Sequence, residues 1–212
     1  MKHSLILFFW ITMMNLFWAN TLFAQSWKFV KEKEGIKVYT RNVPNSSLKS
    51  FKGETNFQAS VDRVSMIIMD PEYGDWWEKN FIQRTLLDYQ KDKYIQYYLV
   101  YGLPWPFANR DFAAETRITK DSVTGEHTMI SLSMAERVPV KPDMVRINKY
   151  MQKWILQPLD DQSVHVILEG FIDPGGNVPA WIYNIVIPEA PFKIIRSLRD
   201  KLLSDSSVQS SK

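Results

Sequence analysis

The sequence contains no cysteine in 212 residues. That excludes disulfides, thiolate zinc sites, iron–sulfur clusters and a cysteine nucleophile. It also excludes the lipidated anchor of bacterial lipoproteins, which needs a cysteine at the cleavage point. Histidine is scarce, at three, and no H-E-x-x-H, G-x-S-x-G or glycine-rich phosphate loop occurs. Beyond the N-terminus nothing approaches the roughly 18 apolar residues that a membrane span requires. Charge of one sign is not in excess: 26 basic and 23 acidic residues give +3, which leaves no electrostatic footprint for nucleic acid. No catalytic group, metal site or cofactor is assigned from these residues.

What is present begins with an address. Lys2 and His3 precede Leu5-Ile6-Leu7-Phe8-Phe9-Trp10-Ile11, and no charged side chain occurs from Ser4 to Phe23. The run relaxes into Ala19-Asn20-Thr21-Leu22-Phe23-Ala24, followed by Gln25-Ser26. A basic start, an apolar middle and a small residue before polar ones describe a secretory signal peptide. Residues 1–24 are therefore expected to be removed after Ala24, which places the mature protein in the periplasm or outside the cell. The alternative is an uncleaved N-terminal anchor. Residues 25–203 show no linker, charge block or repeat and are expected to form one domain. The polar residues 204–212 are expected to be a flexible tail.

Strand signals dominate the middle of the chain. Ile36 to Tyr39 alternates, and Lys49 to Phe57 places Phe51, Thr55 and Phe57 on one face. Ser60 then stands where an N-cap belongs, ahead of Val61, Val64 and Ile68 at helical spacing, and Asp70-Pro71 ends that helix. Further strands are predicted over Ile82–Tyr89, Tyr94–Leu103, Arg110–Lys120, Glu126–Glu136, Met144–Gln157 and Ser163–Ile172, separated by turn-forming residues. After the turn Asp173-Pro174-Gly175-Gly176 the pattern becomes helical from Pro179 to Leu203.

Two strands show their faces. Phe112, Ala114, Thr116 and Ile118 oppose Asp111, Ala113, Glu115 and Arg117; Thr128, Ile130, Leu132 and Met134 oppose Met129, Ser131 and Ser133. At least six one-sided antiparallel strands imply a sheet wet on one face and covered on the other. Only one long helix is available as cover. A broad curved sheet gripping one helix leaves interior volume that its own side chains do not fill. Within that helix Pro188 and Pro191 predict a kink or break. Its second half places Phe192, Ile195, Leu198 and Leu202 on one side and Lys193, Arg196, Arg199 and Lys201 on the other. Such a segment is either a plain packed helix or a lid whose basic face meets anionic lipid head groups.

In their order, these residues resemble the START family, the steroidogenic-acute-regulatory-related lipid-transfer domain. The resemblance is carried by Gly35-Ile36-Lys37-Val38-Tyr39 with Arg41, Phe51-Lys52-Gly53-Glu54 and Trp76. It continues through Pro104-Trp105-Pro106, Asn109-Arg110-Asp111-Phe112, Asp173-Pro174-Gly175-Gly176 and Val178-Pro179-Ala180-Trp181. It implies an α+β helix-grip fold: a curved antiparallel β-sheet wrapped around a long C-terminal α-helix, enclosing a hydrophobic tunnel for one lipid or sterol. The tunnel mouth would lie between the last helix and the loop Leu103–Ala108, which contains Trp105 and Phe107. Several family members carry a charged pair inside the tunnel. Here Thr116 stands in place of the arginine, Arg117 falls on the other strand face, and the region of the acidic partner reads Gln96-Tyr97-Tyr98. The ion pair is therefore not transferred.

The expected function is non-enzymatic binding, with possible transfer, of a lipid or sterol-like hydrophobic ligand by a monomer that touches membranes transiently. The expected ligand contacts are Trp76, Tyr98, Trp105, Phe107, Arg110, Phe112, Thr116, Ile130, Leu132, Trp181, Ile185, Ile195 and Leu198, with Gln96, Tyr98 and Thr116 as polar groups. Two of these have a competing role: Trp76 as core filler, and Arg110 as a loop anchor rather than a head-group contact. His165 and Glu169 share a strand face about 13 Å apart, which argues for an outer, solvated position. Rival functions are a cyclase or hydrolase using the same cavity and an interaction module with a filled core.

Overall fold

The computed structural model describes residues 26–76 and 81–209. The segment read as a signal peptide, Trp77 and residues 210–212 lie outside the described residues. Ten strands form one sheet in the order β1-β2-β3-β10-β9-β7-β6-β5-β4, with β8 set beside β6. They are β1 (Lys28–Lys33), β2 (Ile36–Asn42), β3 (Lys49–Phe57), β4 (Phe81–Gln90), β5 (Tyr94–Tyr101), β6 (Arg110–Lys120), β7 (His127–Ser133), β8 (Val145–Arg146), β9 (Lys149–Asp160) and β10 (Ser163–Asp173). All pairings are antiparallel except the short parallel contact of β6 with β8.

Helix α1 (Val61–Met69) starts where Ser60 predicts, with the Ser60 hydroxyl accepting from the Arg63 amide at 3.2 Å. This bond satisfies one of the amides that a helix N-terminus leaves open. A 3-10 turn, Pro71–Trp76, follows. Helices α2 (Ala180–Val186) and α3 (Glu189–Gln209) replace the continuous C-terminal helix. The break falls at Ile187-Pro188, and Pro191 is tolerated because it lies in the first turn of α3, where an amide has no intrahelical partner.

The core lies between the concave face of the sheet and two helices. Phe192, Ile195, Leu198 and Leu202 of α3 and Val64, Ile67 and Ile68 of α1 meet Ile36, Val38, Phe51, Trp154, Leu156, Val164, Val166 and Leu168. Cover is thus not left to one helix, as the sequence predicts; α1 shares it because its apolar stripe also faces β9. The approach of α3 to β3 is close enough to need glycine. A Cβ on Gly53 would stand 2.6 Å from Ile195 Cδ1 and 2.9 Å from Pro191 Cβ.

Two further expectations are corrected. The segment predicted as a tail from Ser204 continues α3 to Gln209, and Asp205 pairs with Arg63 at 2.6 Å, which ties that turn to α1. The basic side of α3 does not stand free either. Arg199 donates to the backbone and carboxylate of Glu34 at 2.9 and 2.7 Å, and Arg196 lies 3.6 Å from the same carboxylate.

Candidate ligand tunnel

One end of the sheet gathers the segments that can form an opening. The antiparallel registers bring together the start of β4, the end of β5, the starts of β6, β9 and β3, and the end of β10. The β5–β6 loop, the turn before α2 and the β2–β3 loop therefore share one rim. Arg110 fastens two of them. Although 3% exposed, its guanidinium donates to the carbonyls of Ala108, Pro174 at 3.1 Å and Gly175 at 3.3 Å. Burial holds its pKa below the ordinary guanidinium value. The turn it grips contains Gly175 and Gly176, both at φ +61°, a region that side-chain-bearing residues rarely adopt. Of the two roles open for Arg110, the geometry is that of an anchor.

On the rim, α2 turns Tyr183 and Asn184 toward the β2–β3 loop. The Tyr183 hydroxyl donates to Lys49 O at 3.3 Å, and the Asn184 amide donates to Ser47 O at 2.9 Å. Its other side leaves Trp181, Ile185 and Val186 exposed, while Trp105 on the β5–β6 loop is 94% exposed. Phe107 is half-buried in the same loop.

Inside this rim an aromatic row crosses the concave face. Phe81 meets Tyr101 at 5.3 Å and Phe112 at 6.3 Å between ring centroids, and Phe112 meets Tyr150 at 4.8 Å. Phe112 is buried, and Phe81, Tyr101 and Tyr150 are partly covered. Deeper along the same face, Thr116, Ser131 and Gln152 stand side by side on β6, β7 and β9. Thr116 Oγ1 and Ser131 Oγ lie 2.7 Å apart. The Tyr150 hydroxyl donates to Gln152 Oε1 at 3.2 Å. Burial pushes the Tyr150 phenol pKa up, and a hydrogen bond from Ser131 opposes that rise.

Phe112 and Thr116 thus occupy the concave face as predicted, and Trp105, Phe107, Trp181 and Ile185 gather at the rim. Others are placed elsewhere. Ile195 and Leu198 are fully buried in the packing of α3 on the sheet. Trp76 fills core space, donating from Nε1 to Ile67 O at 3.0 Å and meeting Trp154 edge-on at 6.3 Å. Four expectations are reversed. Tyr98 and Gln96 leave the convex face of β5: the Tyr98 hydroxyl donates to Asp111 at 3.0 Å, and the Gln96 amide donates to Glu115 at 2.6 Å. Ile130 and Leu132 are likewise outward, at 39% and 53% exposure. In β7 the inward positions are His127, Met129 and Ser131, because Ser131 pairs with Thr116 and Met129 with Ile118. Apolarity points the wrong way there, since the concave face is partly polar. The inward Ser131, Gln152 and Tyr150 were missed for that reason; the signal available was the cross-strand register of a polar Thr116.

Outside the concave face, His165 Nδ1 lies 2.7 Å from Asn56 Oδ1 on the outer surface, as its spacing from Glu169 predicts. No group of three or more histidine and acidic residues among the described residues is arranged to hold a metal ion.

A curved antiparallel sheet closed over a C-terminal helix defines a helix-grip domain. The sequence profile of the START domain matches residues 12–203, and the chain belongs to that family. A structure of the STAR-related lipid transfer protein from Xanthomonas axonopodis is 32% identical with a TM-score of 0.75, covering 83% of this chain and 98% of that one. An uncharacterized protein of Pseudomonas aeruginosa is 27% identical, covering 85% of this chain and 89% of its own length. The phosphatidylcholine transfer protein of Bos taurus is 23% identical over 75% of this chain and 76% of its own.

Proposed function

We propose that the protein carries a lipid or another hydrophobic molecule between the concave aromatic row and the C-terminal helices, loading and releasing it through the rim formed by α2 and the β5–β6 loop. The observation that carries this is the partly covered row Phe81, Tyr101 and Tyr150 at the end of the sheet where Trp105, Trp181, Ile185 and Val186 are exposed. Apolar side chains that line the concave face and others that stand exposed on the rim suit a guest that arrives from a membrane. Burying a methylene contributes about 0.8 kcal/mol, so ten give roughly 8 kcal/mol before ordering costs. The names of the Xanthomonas and bovine relatives support the same class of guest.

The action is binding without chemistry. Over Ile95–Tyr101, Phe112–Ile118, His127–Ser133 and Tyr150–Leu156 the inward positions hold no carboxylate, and His127 is occupied by Ser65 at 3.0 Å. The carrier is a monomer exported by residues 1–24, and its rim touches the membrane only while exchanging cargo. N-terminal sequencing of the secreted product tests cleavage after Ala24. Native mass spectrometry of protein recovered from the export compartment tests the cargo. A bound species of lipid mass supports the carrier; an empty protein that also extracts nothing from vesicles overturns it.

A further inference from the structure

The convex face of the sheet carries a hollow that the tunnel does not use. On β5 the alternate positions Tyr98 and Val100 face outward, opposite Thr85 and Gln83 of β4. An irregularity between Leu86 and Asp88 adds one residue to β4 and lets Leu87 turn to the same side, as bulges commonly re-aim a side chain. The segment between β7 and β8 folds over this corner, where Val138, Pro139 and Lys141 complete a cleft of about 300 Å³. At the roughly 30 Å³ that a water takes in the liquid, the cleft holds a body of about ten non-hydrogen atoms. A two-chain lipid does not fit.

The cleft is built before anything enters it. Tyr98, 5% exposed, forms its floor, with the hydroxyl donating to Asp111 at 3.0 Å. Arg146, paired with the same carboxylate, donates to the carbonyls of Ala135, Val138 and Pro139 and so holds the wall. A guest therefore has little of the protein to order on binding, and such ordering is what weakens small ligands.

Leu87, Val138, Pro139 and the Tyr98 ring make the lining largely apolar, and Lys141 is the one charged residue on it. Its Nζ lies 4.8 Å from the centroid of the Tyr98 ring and makes no ion pair among the described residues. Asp111 and Asp143 favour its charge through space, but Asp111 is committed to Arg146 and Tyr98. A cation held against an apolar wall attracts a carboxylate more strongly than one in open water does, and it repels an amine.

We infer that this cleft binds a small carboxylate with an aryl or short acyl body, the apolar part on Tyr98, Leu87 and Pro139 and the carboxylate on Lys141. The sheet separates it from the concave face, so this guest does not compete with the cargo proposed above.

The test is a titration of isotope-labelled protein with phenylacetate, phenylacetamide and phenethylammonium, which share one body and differ in charge. Backbone amide shifts are followed by NMR up to about 10 mM, the weak limit for a guest of about ten atoms. Phenylacetate is expected to shift the amides of Leu87, Tyr98, Val138 and Lys141 saturably, and to bind about fivefold or more tighter than the other two probes, the scale of one partly exposed ion pair. Lys141→Gln should lower phenylacetate to the level of phenylacetamide without changing phenylacetamide itself, and Lys141→Arg should keep the preference. No saturable shift at these amides overturns the inference. Equal binding of the three probes does so too, as do shifts confined to concave residues such as Phe112 and Thr116.

Discussion

Arg110 and Asp111 are consecutive residues of β6 whose side chains leave the sheet on opposite faces, and each fastens different loops. Arg110 holds the carbonyls of the β5–β6 loop and of the turn before α2. Asp111 takes a bidentate pair from Arg146 at 2.9 and 2.8 Å and a further bond from Tyr98. Arg146 then grips the carbonyls of Ala135, Val138 and Pro139 at 2.5, 3.0 and 2.8 Å. One strand thereby fixes the loops on both sides of the rim.

Removal of the Asp111 carboxylate should therefore be expensive. Burial works against its charge, yet the bonds from Arg146 and Tyr98 outweigh that and hold its pKa below the usual value. The pair is 7% and 1% exposed at its side chains. Asp111→Ala leaves the Arg146 cation buried without its counterion, at a cost of about 3–5 kcal/mol. A fall in Tm of roughly 10 °C is expected in a thermal melt followed by circular dichroism. A melt within a degree or two of the unaltered protein would show the pair to be energetically idle.

How far the fold was legible follows from these strands. Alternation in β6 separated Phe112 and Thr116 from Asp111 correctly, because its two faces differ in polarity. It also anticipated a one-sided sheet, and Ser60 and Asp70-Pro71 marked both ends of α1. β7 was inverted because Ile130 and Leu132 are exposed while Ser131 is buried, so hydrophobicity alone chose the wrong face. β1 was missed since Lys28–Lys33 is an edge strand whose residues are mostly exposed. The anchoring by Arg146 had no local signal: its partners lie 7 to 35 residues away.

The acid sensitivity of the protein should include a histidine component. His127 is 7% exposed, with Nδ1 3.0 Å from Ser65 Oγ of α1. Burial, then Lys120, holds its pKa below 6.5, against a weaker pull from Asp62 and Asp92. The unfolded chain thus takes up the proton first as pH falls. The contribution of His127 is complete above about pH 6.5 and is lost as pH drops toward the lower folded-state value. Urea unfolding is expected to show lower stability at about pH 5.5 than at about pH 7.5, and His127→Gln should flatten that slope. An equal slope in the variant would assign the acid loss to other groups.

Exposed tryptophans on the rim give a direct test of membrane contact. Trp105 and Trp181 lie on separate segments at the same end of the sheet, at 94% and 67% exposure. Indole rings favour the membrane–water interface. Burying a large apolar side chain contributes about 1.5–3 kcal/mol. Trp105→Ser with Trp181→Ser should weaken binding to lipid vesicles by at least about tenfold, measured by flotation, with little change in Tm. Retained flotation would move the membrane contact to another surface.

The sequence left the C-terminal segment open between a plain packed helix and a lid, and the packing divides it between the two. Ile195 and Leu198 are fully buried, and Gly53 brings α3 against β3, so displacing α3 would open the core. α2 has only seven residues, and Trp181, Ile185 and Val186 remain exposed. Its Asn184 accepts from the Lys49 amide at 3.0 Å and donates to Ser47 O at 2.9 Å. Tyr183 is the one buried residue of α2, so lifting α2 unpacks far less of the core than lifting α3. Because the chain has no native cysteine, Ser47→Cys with Asn184→Cys introduces a single pair that can close only on itself within one molecule. When oxidised, it should slow lipid transfer between donor and acceptor vesicles by about tenfold or more, and a reducing agent should restore the rate. Transfer at an unchanged rate with the disulfide formed would mean that cargo passes without α2 moving, and the opening would then have to lie on the β5–β6 loop alone.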